Sequence, residues 1–488
     1  MEIPRYDEAL IGGRWVPAAN GTTEVMNPAT EATAALAPEC STQQVAEAAA
    51  AAREAFEHGE WPRLSGADRA ARLREAAERF RKEIPRLTDL VIDETGALAS
   101  VVHQLHMGIT ATRLESNAQL AESGFEEALP ALEIDLGAAG RGRAEGVVVR
   151  EPVGVVGCIS PFNVPLANCA GKIGPALACG NTVVVKPPPQ APNGVIELCR
   201  VVAAVMPPGV VNVVSGAGPE IGEALTGSPD VDMISFTGSS AVGRVIHERC
   251  GAQMKRTLLE LGGKSACIVF ADCDAEKALR GAMSPWTFHS GQICTAPTRL
   301  LVEESFYAEF TDRLAAAGPT LPIGRPRDAD VVVGPLVSDV QRERVLGYIA
   351  RGVAEGATLA CGGKRPGEPD RGYFVEPTLF TDATNAMTVA REEIFGPVIT
   401  AIPFRDADEA VALANDSDYG LSGYVWSGDR ERGRSVASRM RTGAVQINGS
   451  PPRQDTPFGG FKHSGVGRDG GRYAIPAYTE LKHIGWST

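Results

Sequence analysis

Between residues 153 and 236 short apolar runs alternate with amphipathic stretches, and no other feature restricts the possible folds of this chain so strongly. Residues 153–159, 182–185, 210–214 and 233–236 are near-continuous Val, Ile and other apolar residues, as strands buried on both faces must be. Residues 166–178 and 191–206 read as helices, the first closed by Gly180 and the second stopped by Pro207-Pro208-Gly209. Strand and helix in alternation predict a parallel sheet covered on both sides, the architecture of nucleotide-binding proteins. After the last of these strands, Thr237-Gly238-Ser239-Ser240 makes a strand-to-helix turn. Its free amides and hydroxyl suit a pyrophosphate, although a well-capped helix without ligand has the same residues. Gly216-Ala217-Gly218 is a weaker version of that turn, short of the full dinucleotide fingerprint.

A second α/β region opens with Leu258-Leu259-Glu260-Leu261-Gly262-Gly263-Lys264-Ser265 and a strand at 266–270. With 488 residues the chain exceeds one ordinary core, so two or three domains are expected, and a hydrophobic fraction of 44% makes them globular. Ahead of the sheet, Ser41 and Gln44 form a capping box for a helix through Phe56. A second helix is expected over 68–83, interrupted at Pro85, with a third ending near Gly96. His103 and His106 share a helix face without a third ligand and read as ordinary helix histidines, so no metal site is expected. Residues 127–150 contain two strands joined by a Gly/Arg-rich turn, including Ala131 to Leu136, and fit a hairpin leaving the main body.

A net charge of -13 argues against nucleic acid and against anionic membrane surfaces as partners, since both select basic patches. The ten cysteines lack a regular spacing and include no CxxC pair, which suits reduced thiols. Met1 to Glu8 lacks the basic and apolar segments of a secretory signal, and no apolar run is long enough to span a bilayer. A soluble, cytoplasmic protein is expected.

Two residues carry the chemistry. Cys294 follows Phe288-His289-Ser290-Gly291-Gln292-Ile293, small and flexible enough to present a thiolate nucleophile, although a free cysteine is commonly a small buried hydrophobe. Glu260 is a carboxylate in apolar, glycine-rich surroundings, where desolvation raises a pKa toward that of a general base; a buried Glu capping local amides is the alternative.

Taken in order, Ser160-Pro161-Phe162-Asn163-Val164-Pro165, Val184-Val185-Lys186-Pro187, Phe236-Thr237-Gly238-Ser239, Glu260-Leu261-Gly262-Gly263-Lys264-Ser265, Gly291-Gln292-Ile293-Cys294, Glu392-Glu393-Ile394-Phe395-Gly396-Pro397 and Pro457-Phe458-Gly459-Gly460 resemble the aldehyde dehydrogenase superfamily over nearly the whole chain. The resemblance implies an α/β fold of two parallel-sheet domains, a Rossmann-like cofactor domain and a catalytic domain, with a small β oligomerisation arm. It places residues 1–126 and 148–257 in the cofactor domain, 258–447 in the catalytic domain and 127–147 with 471–488 in the arm, while 448–470 return to the cofactor domain. It implies oxidation of a small-molecule aldehyde to an acid in a homodimer or homotetramer. Cys294 would attack the carbonyl, Asn163 and the Cys294 backbone N–H would hold the oxyanion, Glu260 would activate water, and Lys172 would lie near the proton path. For the cofactor it implies Ser160, Pro161, Phe162, Lys186, Gly218, Phe236, Gly238, Ser239, Leu261, Glu393 and Phe395, with Lys186 on the adenosine ribose, Ser239 and Gly238 at the pyrophosphate, and Glu393 on the nicotinamide ribose beside Phe395.

The expected cofactor is NAD. NADP stays open because Pro189 stands where many NAD-preferring members carry a Glu that repels a 2′-phosphate. His289, Val164 and Pro452 also depart from the common pattern, the last two removing aromatic walls from the substrate tunnel. Two other outcomes fit the same cysteine: transfer of the acyl group to coenzyme A, or a thiol hydrolase pairing Cys294 with a histidine such as His289.

Overall fold

The computed structural model describes residues 3–135, 137 and 140–487. Leu136, the last residue of the expected strand, lies outside the described residues, as do Ala138 and Ala139 of the expected turn, Met1 and Glu2, and Thr488 at the end of the arm.

The expected parallel sheet forms. Arg256–Glu260, Met233–Thr237, Val155–Ile159, Thr182–Lys186 and Val211–Val213 lie side by side and parallel, at the centre of an eight-stranded sheet edged by Gly465–Val466 on one side and by Glu8–Ile11 and Arg14–Pro17 on the other. From Val155–Ile159 the chain first builds outward through Thr182–Lys186 to Val211–Val213, then returns to add Met233–Thr237 on the opposite flank. The order therefore reverses between Val155–Ile159 and Met233–Thr237, and such a switch point opens a crevice at the carboxyl ends of the strands. A seven-stranded sheet, in the order Thr358–Cys361, Thr378–Thr381, Val398–Phe404, Arg299–Glu303, Ala266–Val269, Ser422–Trp426, Ala444–Ile447, is parallel except at its first strand. Thr479–Ser487, Arg141–Pro152 and Glu126–Asp135 make a separate antiparallel three-stranded sheet.

Three sequence expectations need correction. The border expected between residues 257 and 258 falls inside Arg256–Glu260, a strand paired with Met233–Thr237 along its whole length. Parallel pairing with the first sheet keeps Glu260 there, and the chain crosses to the second sheet only in the Gly262-Gly263 turn. Residues 471–478 do not join the arm. They form a 3-10 turn, Gly471–Tyr473, and a short helix, Ile475–Tyr478, whose fully buried Tyr478 shares a hydrogen bond of 3.0 Å with Ser235 in the first sheet.

Pro85, finally, does not end its helix, which runs unbroken over Gly66–Thr95 and closes at Gly96 in the left-handed conformation. A proline inside a helix costs about 3 kcal/mol. Phe80, Leu87 and Val91 are fully buried on either side of it. Burial of side chains of this size contributes about 1.5–3 kcal/mol each, so packing outweighs the lost hydrogen bond. Pro85 itself is exposed, which leaves the freed carbonyl to solvent. The stripe packs against Ile109–Glu122 and Pro165–Ala178 in the largest core cluster.

The helix that ends in Ile109–Glu122 begins at Ala99 and passes through a π-helical stretch, Val102–Gly108. One extra residue in a turn rotates everything after it by about 100° about the helix axis. This sets which face of Ile109–Glu122 meets Pro165–Ala178. His106, within the π stretch, is completely buried and neither ring nitrogen has a hydrogen-bond partner among the described residues, unlike the satisfied histidine expected there. Among the described residues no helix is long and apolar enough to cross a membrane.

Candidate active site

The sheet register delivers the candidate residues to one edge. Ile159 pairs with Lys186, and Thr237 with Glu260. Ser160 to Asn163, Lys186, Gly238-Ser239 and Glu260 therefore all stand at the carboxyl ends of parallel strands. The strands that carry Lys186 and Glu260 are separated by those ending at Ile159 and Thr237. A cavity of about 860 Å³ runs along this edge and is lined by Lys186 and Glu260, and also by Gly218, Phe236, Ser239, Leu261, Glu393, Phe395 and Cys294.

Local sequence fixes the wall of the crevice. Ser239 caps the helix Ser240–Gly251, its side chain accepting from the Val242 N–H, so the hydroxyl that could meet a phosphate also ends the helix. Gly238 donates its N–H to the Glu260 carbonyl, 3.1 Å, and a Cβ there would lie 2.4 Å from the Phe236 ring. Lys186 donates to the carbonyls of Pro187 and Gly216, and burial pulls its pKa down to about 8. Glu393 accepts from the Gly263 N–H, 3.0 Å, and burial pushes its carboxyl up to about 7. Phe395 is held at φ 61°, and its ring meets Phe162 edge-on at 5.7 Å. Ser160, Pro161, Phe162 and Asn163 all line the cavity, Ser160 and Asn163 as buried residues.

The second sheet brings Cys294 to the same cavity. His289 and Ser290 both have φ 51° and Gly291 has φ 74°. This left-handed run reverses the chain just before the nucleophile. Such backbone persists only where surroundings over-determine it. Here the Ser290 hydroxyl donates to Gly334, the Gln292 amide donates to His289 and Pro335 while its oxygen accepts from Val337, and the Tyr424 hydroxyl donates to Thr295. A Cβ on Gly263 would lie 2.3 Å from the Cys294 carbonyl, so the nucleophile loop rests directly on the turn that leaves Glu260.

Cys294 is half-buried; burial, and then the Glu393 and Glu260 charges, push its thiol up to about 12. Glu260 is buried with no hydrogen-bond partner for either oxygen among the described residues. Desolvation, followed by the neighbouring Asp469, raises its pKa well above the carboxylate range. Asn163 Nδ2 donates to the Gln292 carbonyl, 2.8 Å. That bond ties the amide to the nucleophile loop and leaves its second N–H free to donate elsewhere.

Lys172 does not line the cavity. It is buried behind the wall, its Nζ donating to Ser235 at 3.4 Å and Ser235 in turn bonded to Tyr478. The Cys294–His289 pair of the hydrolase alternative does not form among the described residues: no hydrogen bond joins the two, and the His289 ring meets His106 edge-on at 6.4 Å. Burial lowers its pKa to about 4, which makes it a neutral wedge beside the site.

Sequence reasoning missed Asp469 and Arg113. Asp469 sits in the glycine-rich return Gly465 to Gly471 and lines the cavity beside Glu260, its own pKa raised by burial. A carboxylate among glycines that touch the Glu260 strand was a usable signal. Arg113, on Ile109–Glu122, also faces the cavity, and nothing in its helix marks it out.

Residues 15–484 match the aldehyde dehydrogenase family. A 3-succinoylsemialdehyde-pyridine dehydrogenase of Pseudomonas sp is 40% identical over 487 residues, covering 98% of each chain. Among solved structures, an aldehyde dehydrogenase of Bacillus cereus in complex with NAD+ is 37% identical with a TM-score of 0.93, covering 98% of this chain and 96% of that one. The NAD+ complex of a Mycobacterium tuberculosis aldehyde dehydrogenase is 40% identical, TM-score 0.93, covering 99% of this chain and 98% of that one. With the crevice, the thiol and the carboxylate gathered on one cavity and the match spanning nearly every residue, the chain belongs to the aldehyde dehydrogenase family.

Proposed function

We propose that the protein oxidises an aldehyde to its carboxylic acid with NAD, through a thiohemiacetal and a thioester on Cys294. The observation that carries this reading is one cavity lined by a half-buried thiol, a buried carboxylate without a hydrogen-bond partner among the described residues, and a tethered carboxamide with a second N–H to donate. A thiol pushed up to about 12 is protonated at neutral pH, so attack needs a proton acceptor. The Glu260 carboxylate, raised by desolvation, is matched to that task. As Sγ bonds to the carbonyl carbon, the thiol proton passes to Glu260, and the oxyanion is received by the Asn163 N–H and the Cys294 backbone N–H. The nicotinamide, when bound, supplies the acceptor for the hydride that leaves the substrate carbon. Once Glu260 has released that proton to solvent it draws another from water, the new C–O bond replaces the C–S bond, the leaving Cys294 sulfur takes the proton back from Glu260, and the acid departs. Asp469 and Lys172 act on Glu260 through its charge and proton, not on the substrate.

The crevice fits a dinucleotide. Lys186 presents an amine for ribose hydroxyls, the Ser239 helix end suits the pyrophosphate and Glu393 offers a carboxylate for the second ribose. Gly262 makes room for that carboxylate, since a Cβ there would lie 2.3 Å from it. NAD is supported by the two similar NAD+ complexes; Pro189 keeps NADP as the second reading. Glu260 favours water over coenzyme A as acyl acceptor. Cytoplasmic residence suits ten free thiols, and assembly through the three-stranded arm suits its exposed Leu132, Leu481 and Trp486. The test is an aldehyde panel crossed with NAD and NADP, with and without coenzyme A, following reduced nicotinamide and the acid. Turnover that requires coenzyme A, or none with any aldehyde, would overturn the proposal.

A further inference from the structure

Where the cavity meets Ile109–Glu122, a guanidinium stands in the place of a wall. Arg113 lines the cavity with Glu260, Asp469, Asn168 and Phe458, and it reaches there over Gly171, where a Cβ would lie 2.5 Å from its Nη1. Arg113 and Gly171 therefore depend on each other. Among the described residues the guanidinium donates to the Ala167 carbonyl and to the Gln454 side-chain oxygen, 3.4 Å, while Nη2 makes no hydrogen bond and no carboxylate forms an ion pair with it. Asp469 and Glu260 act on it only through space. A guanidinium that faces the cavity with its Nη2 unbonded is matched to an anion. A cationic substrate would meet the like charge of Arg113, and of the neighbours just named only Phe458 carries a ring, short of the aromatic cage such groups need.

We propose, resting on the dehydrogenase reading above, that Arg113 receives the carboxylate of a substrate with an aldehyde at one end and an anionic group at the other, so that the substrates are semialdehydes of dicarboxylic acids. Arg113 acts as a specificity residue, gripping the end of the substrate remote from Cys294.

The test is the ratio of kcat/KM for succinic and glutaric semialdehydes to that for butanal and pentanal, measured on one preparation so that loss of folded enzyme cancels, with betaine aldehyde as the cationic probe. The unaltered enzyme is expected to favour the semialdehydes, then the neutral aldehydes, then the cation. Arg113→Met should lower the ratio by about 10–100-fold, mostly through the KM of the semialdehydes. Arg113→Lys should keep part of the preference, and Gly171→Ala, which displaces the guanidinium but keeps its charge, should also lower it. Neutral aldehydes used as well as semialdehydes, or a ratio unmoved in Arg113→Met, would overturn the proposal while leaving the dehydrogenase reading intact. No turnover of any of these aldehydes would defeat both.

Discussion

The two halves of the cavity are built by different means. The half around Lys186, Gly238 and Ser239 stands on neighbouring parallel strands, so the sheet register alone aligns its parts. The half around Cys294 gathers residues from a helix near position 113, a strand end at 260, a left-handed loop at 289–291 and a return at 469, all far apart in sequence. In the first half, position is a by-product of regular structure and each group contributes modestly. In the second, position is enforced by strained backbone and buried hydrogen bonds, and single groups decide whether the reaction occurs. Substitutions in the second half should therefore abolish chemistry, while those in the first should weaken binding.

The largest effect is expected for Cys294→Ala, which removes the sulfur proposed to form the thioester. Aldehyde oxidation should vanish while fluorescence titration still reports bound NADH; undiminished turnover would break the distinction. Asn163→Ala should lower kcat by about a hundred- to a thousandfold, as loss of one oxyanion donor does elsewhere, with cofactor affinity little changed. A loss confined to cofactor KM would move Asn163 into the other half.

The pH profile separates the halves again. The reactive forms of Cys294 and Glu260 are the deprotonated ones, and burial raises both pKa values. kcat/KM for the aldehyde should thus climb with rising pH and be lost toward acid, where the carboxylate is protonated. An acid optimum in a steady-state profile would contradict this. The smallest effect is expected for Ser239→Ala, which removes a helix cap worth about 1 kcal/mol and should raise the KM for NAD several-fold, with kcat for a saturating aldehyde nearly unchanged.

The same contrast explains what could be read in the sequence. Apolar runs at 153–159, 182–185 and 233–236 show themselves through period and composition, and with the last comes the turn at Gly238 and Ser239; Lys186 was legible through its motif, and Glu260 through its apolar, glycine-rich setting but assigned to the second region instead of the first sheet. Cys294 and Asn163 were legible through the ordered motifs they belong to. Arg113 was not, because its position depends on the π-helical stretch that precedes it and on the absence of a side chain at Gly171, neither of which leaves a local pattern. Pro85 misled for the complementary reason: a local rule gave way to packing on both sides of it. Lys172 was recognised as a residue but not located, since only the structure puts Ser235 and Tyr478 beside it behind the wall.

The central claim is that Cys294 carries the acyl group and Glu260 delivers water to it. Rapid mixing of Glu260→Gln with NAD and an accepted aldehyde tests this most directly, followed by peptide mass spectrometry after an acid quench. The account predicts a burst of reduced cofactor of about one per active site, then little turnover, with the acyl mass on the peptide containing Cys294. Equal loss of burst and steady state, or an acyl group on any other residue, would contradict it.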